Sequence, residues 1–91
     1  MILNKKEAES RLPSNSNWTF ENNSIEKEFT FSDFSNSVAF IVKVGIEAEK
    51  ADHHPDILLH SWNKVKITLS THSEGGITEK DINLAEKIEK L

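Results

Sequence analysis

Alternation of apolar and polar residues predicts three strands in this chain. Residues 18–21 and 25–31 are joined by two asparagines, which favour tight turns, so these segments are predicted to pair as a hairpin. Residues 65–72 alternate in the same way, with apolar side chains at positions 65, 67 and 69 and His72 at the end, on the polar side. The second and third strands therefore each present one apolar face.

Helical spacing predicts two helices before the third strand. Apolar residues among charges near the start of the chain predict a short amphipathic helix that Pro13 ends. A longer helix is predicted from Asp33 to about Ala51, with Ser32 as its N-cap. The apolar positions that recur at helical spacing in it are Phe34, Val38, Ile41, Gly45 and Ala48.

A third helix is predicted after a turn at Gly75-Gly76. Thr78 and Asp81 have the spacing of a capping box, which opens many helices. The stripe predicted to be buried is Leu84, Ala85, Ile88 and Leu91. This order of elements favours an α+β fold with an antiparallel sheet and helices packed on one face. Residues 56–62 fit either a loop or the start of the third strand.

The composition is that of an ordinary globular domain. We expect 91 residues to form one domain, residues 1–91, and an oligomer would bury further surface. A net charge of −4, with lysines scattered among glutamates, argues against direct binding to nucleic acid. The lack of cysteine excludes a disulfide or a thiolate zinc site. Without a membrane-spanning run or a signal-peptide pattern, the expected location is the cytoplasm.

Three histidines are the candidates for chemistry. Pro55 disfavours helix at His54, so His53 and His54 are predicted at or just past the end of the long helix. His72, at a strand end, could lie beside them. Histidine suits proton transfer near neutral pH because it needs no large pKa shift to act as acid or base. Glu49 lies one turn before His53, so its carboxylate is predicted to reach and orient that ring.

Each of these residues also has a structural explanation. Two histidines at a helix end can satisfy loose backbone carbonyls. His72 can be a surface strand residue, and His60 is predicted to be one. For Asp81, capping is the favoured role. Three histidines could also ligate zinc, but adjacent histidines seldom supply two ligands to one metal, so no metal is expected. The residues alone support only a helix end that carries candidate acids and bases.

Several segments together resemble the pterin-4a-carbinolamine dehydratases. They are residues 49–55, 62–65, 70–72 and 75–85, together with residues 31–34 and Trp18. The resemblance spans essentially the whole chain. Its specific part is the combination of His-His-Pro, a third histidine and, nine residues later, an aspartate.

The resemblance implies an α+β fold with a four-stranded antiparallel sheet and helices on one face, in dimers or tetramers. It also implies dehydration of a 4a-hydroxytetrahydropterin to a quinonoid dihydropterin without metal or cofactor. The catalytic residues would be His53, His54 and His72. The pterin contacts would come from Asp52, His53, His54, Ser70, Thr71, His72 and Ser73. Glu49 and Asp81 are candidates for contacting and supporting these residues without touching the pterin.

The alternative function that the resemblance implies is protein binding. Some members of that family act as dimerisation cofactors of homeodomain transcription factors, through the helical surface that builds the oligomer. Nothing in this sequence singles out that role.

Overall fold

Three helices and four strands make up the protein, whose computed structural model describes residues 1–91. The elements are α1 (Lys5–Arg11), β1 (Thr19–Glu21), β2 (Ser24–Thr30), α2 (Phe34–Ala51), β3 (Asp56–His60), β4 (Lys64–Leu69) and α3 (Glu79–Glu89). The strands form one antiparallel sheet in the order β1-β2-β4-β3. This confirms the predicted fold class.

The fourth strand is β3, in the segment that the residue pattern left open. It pairs with β4 at the edge of the sheet, with Ile57 opposite Ile67 and Leu59 opposite Val65. Leu58 lies between these two positions and is exposed on the other face. Three consecutive apolar residues hide the period of two, which is why alternation alone does not identify this strand.

One face of the sheet is covered by the helices, and the other is open. Val65, Ile67 and Leu69 in β4 and Ile25 in β2 are fully buried on the covered face. The open face carries mainly polar and charged side chains, such as those of Glu28 and Lys66. The helices therefore lie on one face, as predicted.

The long helix α2 begins one residue later than predicted. Its N-cap is Asp33, whose side chain accepts a hydrogen bond from the Asn36 N–H at 2.8 Å, and not Ser32. Its end agrees with the prediction from Pro55, because Asp52 adopts a left-handed conformation with φ of 50° and turns the chain. His53 and His54 lie just past this turn.

Helix α2 has a second apolar face. Its buried residues are Ser37, Phe40, Val44 and Ala48, so Ala48 alone among the positions that predicted the helix is buried. An apolar stripe on the opposite side is 41–57% exposed. The residues of this α2 stripe are Phe34, Val38, Val42 and Ile46.

Beyond β4 the structure corrects two boundaries. The strand ends at Leu69, and His72 opens a single 3-10 turn, His72–Glu74, instead of closing the strand. Helix α3 has the predicted cap and buries Leu84, Ala85 and Ile88, but Leu91 is 43% exposed because the helix ends at Glu89. None of the helices is long and apolar enough to cross a membrane.

Candidate active site

A single polar cavity of about 260 Å³ gathers the predicted pterin contacts. It lies between the turn after α2 and the segment after β4. The residues that line it are Asp52, His53, His54, Ser70, Thr71, His72, Ser73 and Lys80. All seven predicted contacts therefore share one cavity, whereas Glu49 and Asp81 do not line it.

His53 is held between two helix ends. Its backbone N–H donates to the Ala48 carbonyl at 3.1 Å, which closes the last turn of α2. Its ring is mostly buried, and Nε2 lies 2.6 Å from Oδ1 of Asp81 in the first turn of α3. The ring thus links the end of α2 to the start of α3.

Asp81 is a fully buried carboxylate, and both of its oxygens have hydrogen-bond partners. Its Oδ2 accepts from the Thr78 backbone N–H at 2.9 Å and from the Thr71 hydroxyl at 2.8 Å. The contact with Thr78 confirms the predicted capping box. The same side chain also contacts His53 through its other oxygen, so Asp81 caps a helix and supports the cavity at once.

The second ring nitrogen of His53 faces the cavity. Every fully buried side-chain nitrogen and oxygen in the protein has a hydrogen-bond partner. Nδ1 of His53 has no partner within the protein, so it is not fully buried. Nδ1 must therefore be accessible from outside the protein, and the cavity is the concave surface that His53 lines. This leaves one ring nitrogen tied to a carboxylate and the other available for proton transfer.

Glu49 contacts the other histidine of the pair. Its Oε1 lies 3.0 Å from Nε2 of His54, and both side chains are exposed. The prediction that Glu49 orients His53 is therefore wrong, because the left-handed turn at Asp52 directs His53 toward α3 and leaves His54 beside the last turns of α2. An exposed pair of this kind contributes little to stability.

His72 and Lys80 complete the cavity from the opposite segment and from α3. His72 is exposed at the start of the 3-10 turn, and its ring has no hydrogen-bond partner in the protein. Lys80 was not predicted, although its position next to Asp81 in the first turn of α3 places it at this end of the helix. His60 pairs with Glu28 at 2.5 Å on the open face of the sheet, which confirms its surface role.

Histidine and carboxylate side chains do not form any group of three that could hold a metal ion. The cavity is lined by polar side chains that include three histidines, a residue type suited to proton transfer near neutral pH. Among these histidines, His53 alone contacts a buried carboxylate.

Comparison with known proteins identifies the family. The model of the pterin 4 alpha carbinolamine dehydratase family matches residues 1–91. The chain belongs to this family. A relative from Sulfolobus acidocaldarius is 46% identical over 91 residues, which cover 100% of this chain and 99% of the relative. A second, from Prochlorococcus marinus, is 46% identical over 90 residues, which cover 99% and 94% of the two chains. Both carry the name "putative pterin-4-alpha-carbinolamine dehydratase".

Solved structures share the fold. The crystal structure of a transcriptional coactivator/pterin dehydratase from Brucella melitensis superposes with a TM-score of 0.90 at 36% identity, and the match covers 99% of this chain and 97% of that one. A pterin dehydratase-like protein identified as a RuBisCO assembly factor in the alpha-carboxysome gives a TM-score of 0.65 at 20% identity, over 80% and 83% of the two chains. The second likeness concerns the fold alone.

Proposed function

We propose that this protein dehydrates a 4a-hydroxytetrahydropterin to a quinonoid dihydropterin and water, by acid–base catalysis from histidines and without metal or cofactor. The observation that carries the proposal is the placement of His53, which is anchored to a buried carboxylate through Nε2 and open to the cavity at Nδ1. The family to which the chain belongs supports the choice of reaction. The expected cytoplasmic location is part of the same proposal.

The reaction needs one proton donor and one proton acceptor. The bond between C4a and the hydroxyl oxygen breaks, and the oxygen leaves as water once it has been protonated. A proton departs from the neighbouring ring N–H, whose electron pair forms the new C=N double bond. No electrons are gained or lost. Positioned acid–base groups of this kind accelerate reactions by about 10²–10⁴-fold.

His53 suits the role of base. Its Nδ1 faces the cavity, and the Asp81 carboxylate 2.6 Å from Nε2 would stabilise the imidazolium that forms when Nδ1 takes a proton. His72 lines the cavity from the other segment and is assigned the acid that protonates the leaving hydroxyl. His54, whose ring is held by Glu49, is assigned to hold the hydroxyl or the pterin ring.

Replacement of the two proton-transfer histidines tests the proposal. Dehydration is followed by absorbance after rapid generation of the substrate, and the unaided rate is subtracted. We expect His53→Ala and His72→Ala each to lower kcat by about 10²–10⁴-fold. His60→Ala is the matched control, because His60 lies on the open face of the sheet and does not line the cavity. Near-normal turnover in both test variants would refute the assignment.

A chelator tests whether the reaction needs a metal. We expect dialysis against EDTA to leave kcat unchanged, because the proposed proton transfers use histidine side chains only. A loss of activity that added zinc restores would replace this mechanism by a metal-assisted one.

The α2 stripe supports a homo-oligomer, and we propose that a second copy of the chain covers it, in a homodimer or homotetramer. Four exposed apolar side chains on one helix make a contiguous surface of the kind found at protein interfaces. We expect Val42→Glu to reduce the mass measured by light scattering. Lys43→Glu, on the same helix outside the stripe, should leave the mass unchanged.

The alternative function is a protein-binding module that acts as a dimerisation cofactor of a transcription factor. The exposed α2 stripe and the name of the Brucella melitensis coactivator favour considering it. Capture of a transcription factor in a pull-down, by a chain that lacks dehydratase activity, would support this alternative over the enzyme.

A further inference from the structure

Thr71 belongs to the cavity lining, yet its hydroxyl is committed to the protein interior. We propose that Thr71 is a positioning residue and not a donor to the pterin: its hydroxyl fixes the Asp81 carboxylate, so that neutral His53 carries its proton on Nε2 and presents an unprotonated Nδ1 to the cavity. The consequence for turnover rests on the dehydratase function proposed above. The consequence for the proton position does not.

Counting hydrogens fixes the direction of each bond in this cluster. The Thr71 hydroxyl lies 2.8 Å from Asp81 Oδ2 and 2.8 Å from the Thr78 hydroxyl. An ionised carboxylate only accepts, so the single hydrogen of the Thr71 hydroxyl points to Asp81. The Thr78 hydroxyl must then donate to Thr71, while its oxygen accepts from the Lys80 N–H at 3.3 Å.

Three donors in the cluster therefore point toward Asp81. Oδ2 receives the Thr71 hydroxyl and the Thr78 N–H, and Oδ1 faces Nε2 of His53 at 2.6 Å. Since the carboxylate has no proton to give, the short contact requires a proton on Nε2. Neutral His53 then has its lone pair on Nδ1, which is the form a base must take.

The hydroxyl of Thr71 has no hydrogen left to donate to a ligand. Its hydrogen is used by Asp81, and the residue is only 4% exposed. The exposed neighbours His72 and Ser73 are free of such bonds and remain candidates for contact with the pterin. The predicted role of Thr71 as a substrate contact is thus reduced to van der Waals contact through its methyl group.

The backbone of Thr71 is held independently of its hydroxyl. Its N–H donates to the Gly76 carbonyl at 2.8 Å, and its carbonyl accepts from the N–H groups of Glu74 and Gly75 at 3.0 and 2.9 Å. Replacement by valine, which has the same shape, should therefore keep the loop in place while removing one donor from Asp81. The carboxylate can then turn away from His53.

The first test locates the proton on the neutral His53 ring. The ¹⁵N chemical shifts of the two ring nitrogens are measured at a pH at which the ring is neutral. The His53→Ala variant identifies the signals. We expect the proton on Nε2 in the wild-type protein and in Thr71→Ser, and a mixture of the two tautomers in Thr71→Val. A wild-type ring protonated on Nδ1 would overturn the proposal without any variant.

The second test is whether the substitution changes kcat or KM. We expect Thr71→Val to lower kcat about tenfold and to leave KM near the wild-type value. A tenfold loss is the lower end of the effect expected when a hydrogen bond to a charged group is lost in the transition state. Thr71→Ser should restore kcat. A raised KM with unchanged kcat would instead make Thr71 a substrate contact and refute the proposal. A wild-type protein without activity would refute the dehydratase function, and the ¹⁵N shifts would still decide the proton order.

Discussion

Replacing Asp81 by asparagine should invert the tautomer of His53. Asparagine has the same shape as aspartate, but one carboxylate oxygen becomes an NH₂ group that can only donate. The Thr78 backbone N–H always donates, so the amide oxygen must take the place of Oδ2. The NH₂ group then faces Nε2 of His53, which must accept and carry its proton on Nδ1 instead. An N–H donor would then face the cavity at the position where the proposed reaction needs a base.

The expected effect on turnover is large, and the effect on stability is small. Loss of a positioned base lowers kcat by about 10²–10⁴-fold, and a wrong histidine tautomer in a serine protease costs about 10⁴-fold. The amide oxygen keeps the cap and the Thr71 contact, so Asp81→Asn should lose about 1–2 kcal/mol of unfolding free energy. Asp81→Ala leaves three buried donors without a partner, at about 1–3 kcal/mol each.

Three measurements on Asp81→Asn decide between the outcomes. Urea unfolding gives the stability, ¹⁵N shifts give the tautomer of His53, and the dehydration assay gives kcat. Wild-type kcat in a variant whose ring is shown to be inverted would refute the argument that Nδ1 acts as the base. A ring that keeps its proton on Nε2 would refute the hydrogen-bond count instead.

The remaining predictions concern stability and its link to turnover, measured by urea unfolding and the dehydration assay. Gly75→Ala should cost about 1 kcal/mol, because φ is +74° and an added Cβ meets no atom within 4 Å, so backbone strain acts alone. Leu84→Ala should cost about 2–5 kcal/mol because that side chain is buried, whereas Leu58→Ala on the open face should cost under about 0.5 kcal/mol. Thr78→Ala and Asn4→Ala each remove a capping-box residue and should each cost about 1 kcal/mol, but only Thr78→Ala should lower kcat.

Sequence patterns predicted most of the fold because most elements carry a local signal. Alternation identifies β2 and β4, whose buried faces are continuous, and caps or prolines mark the helix ends. The edge strand β3 lacked this signal, since Leu58 faces solvent between two inward apolar residues. The two apolar faces of α2 caused a similar difficulty. Local spacing cannot tell the face that packs on the sheet from the face that stays exposed.

The cavity residues were predicted through family resemblance, but their pairing was not. Glu49 is close to His53 in sequence, so helical spacing suggested a contact, while Asp81 lies 28 residues away. The observed pairs depend on how the left-handed turn at Asp52 aims each ring, and no local pattern gives that direction. Burial explains the outcome: the buried ring takes the buried carboxylate, and the exposed ring takes the exposed one.

The cap of α3 and the proposed catalytic base depend on the same carboxylate. Oδ2 of Asp81 closes the first turn of α3 and also accepts from the Thr71 hydroxyl, and these two contacts together hold Oδ1 against His53 at the end of α2. A cap is often treated as a purely structural device, and the sequence assigned Asp81 to that role first. In this fold the cap orients the candidate base, because one side chain spans both helix ends. The N-terminal turn of α3 is therefore part of the proposed active site, even though Asp81 never touches the cavity.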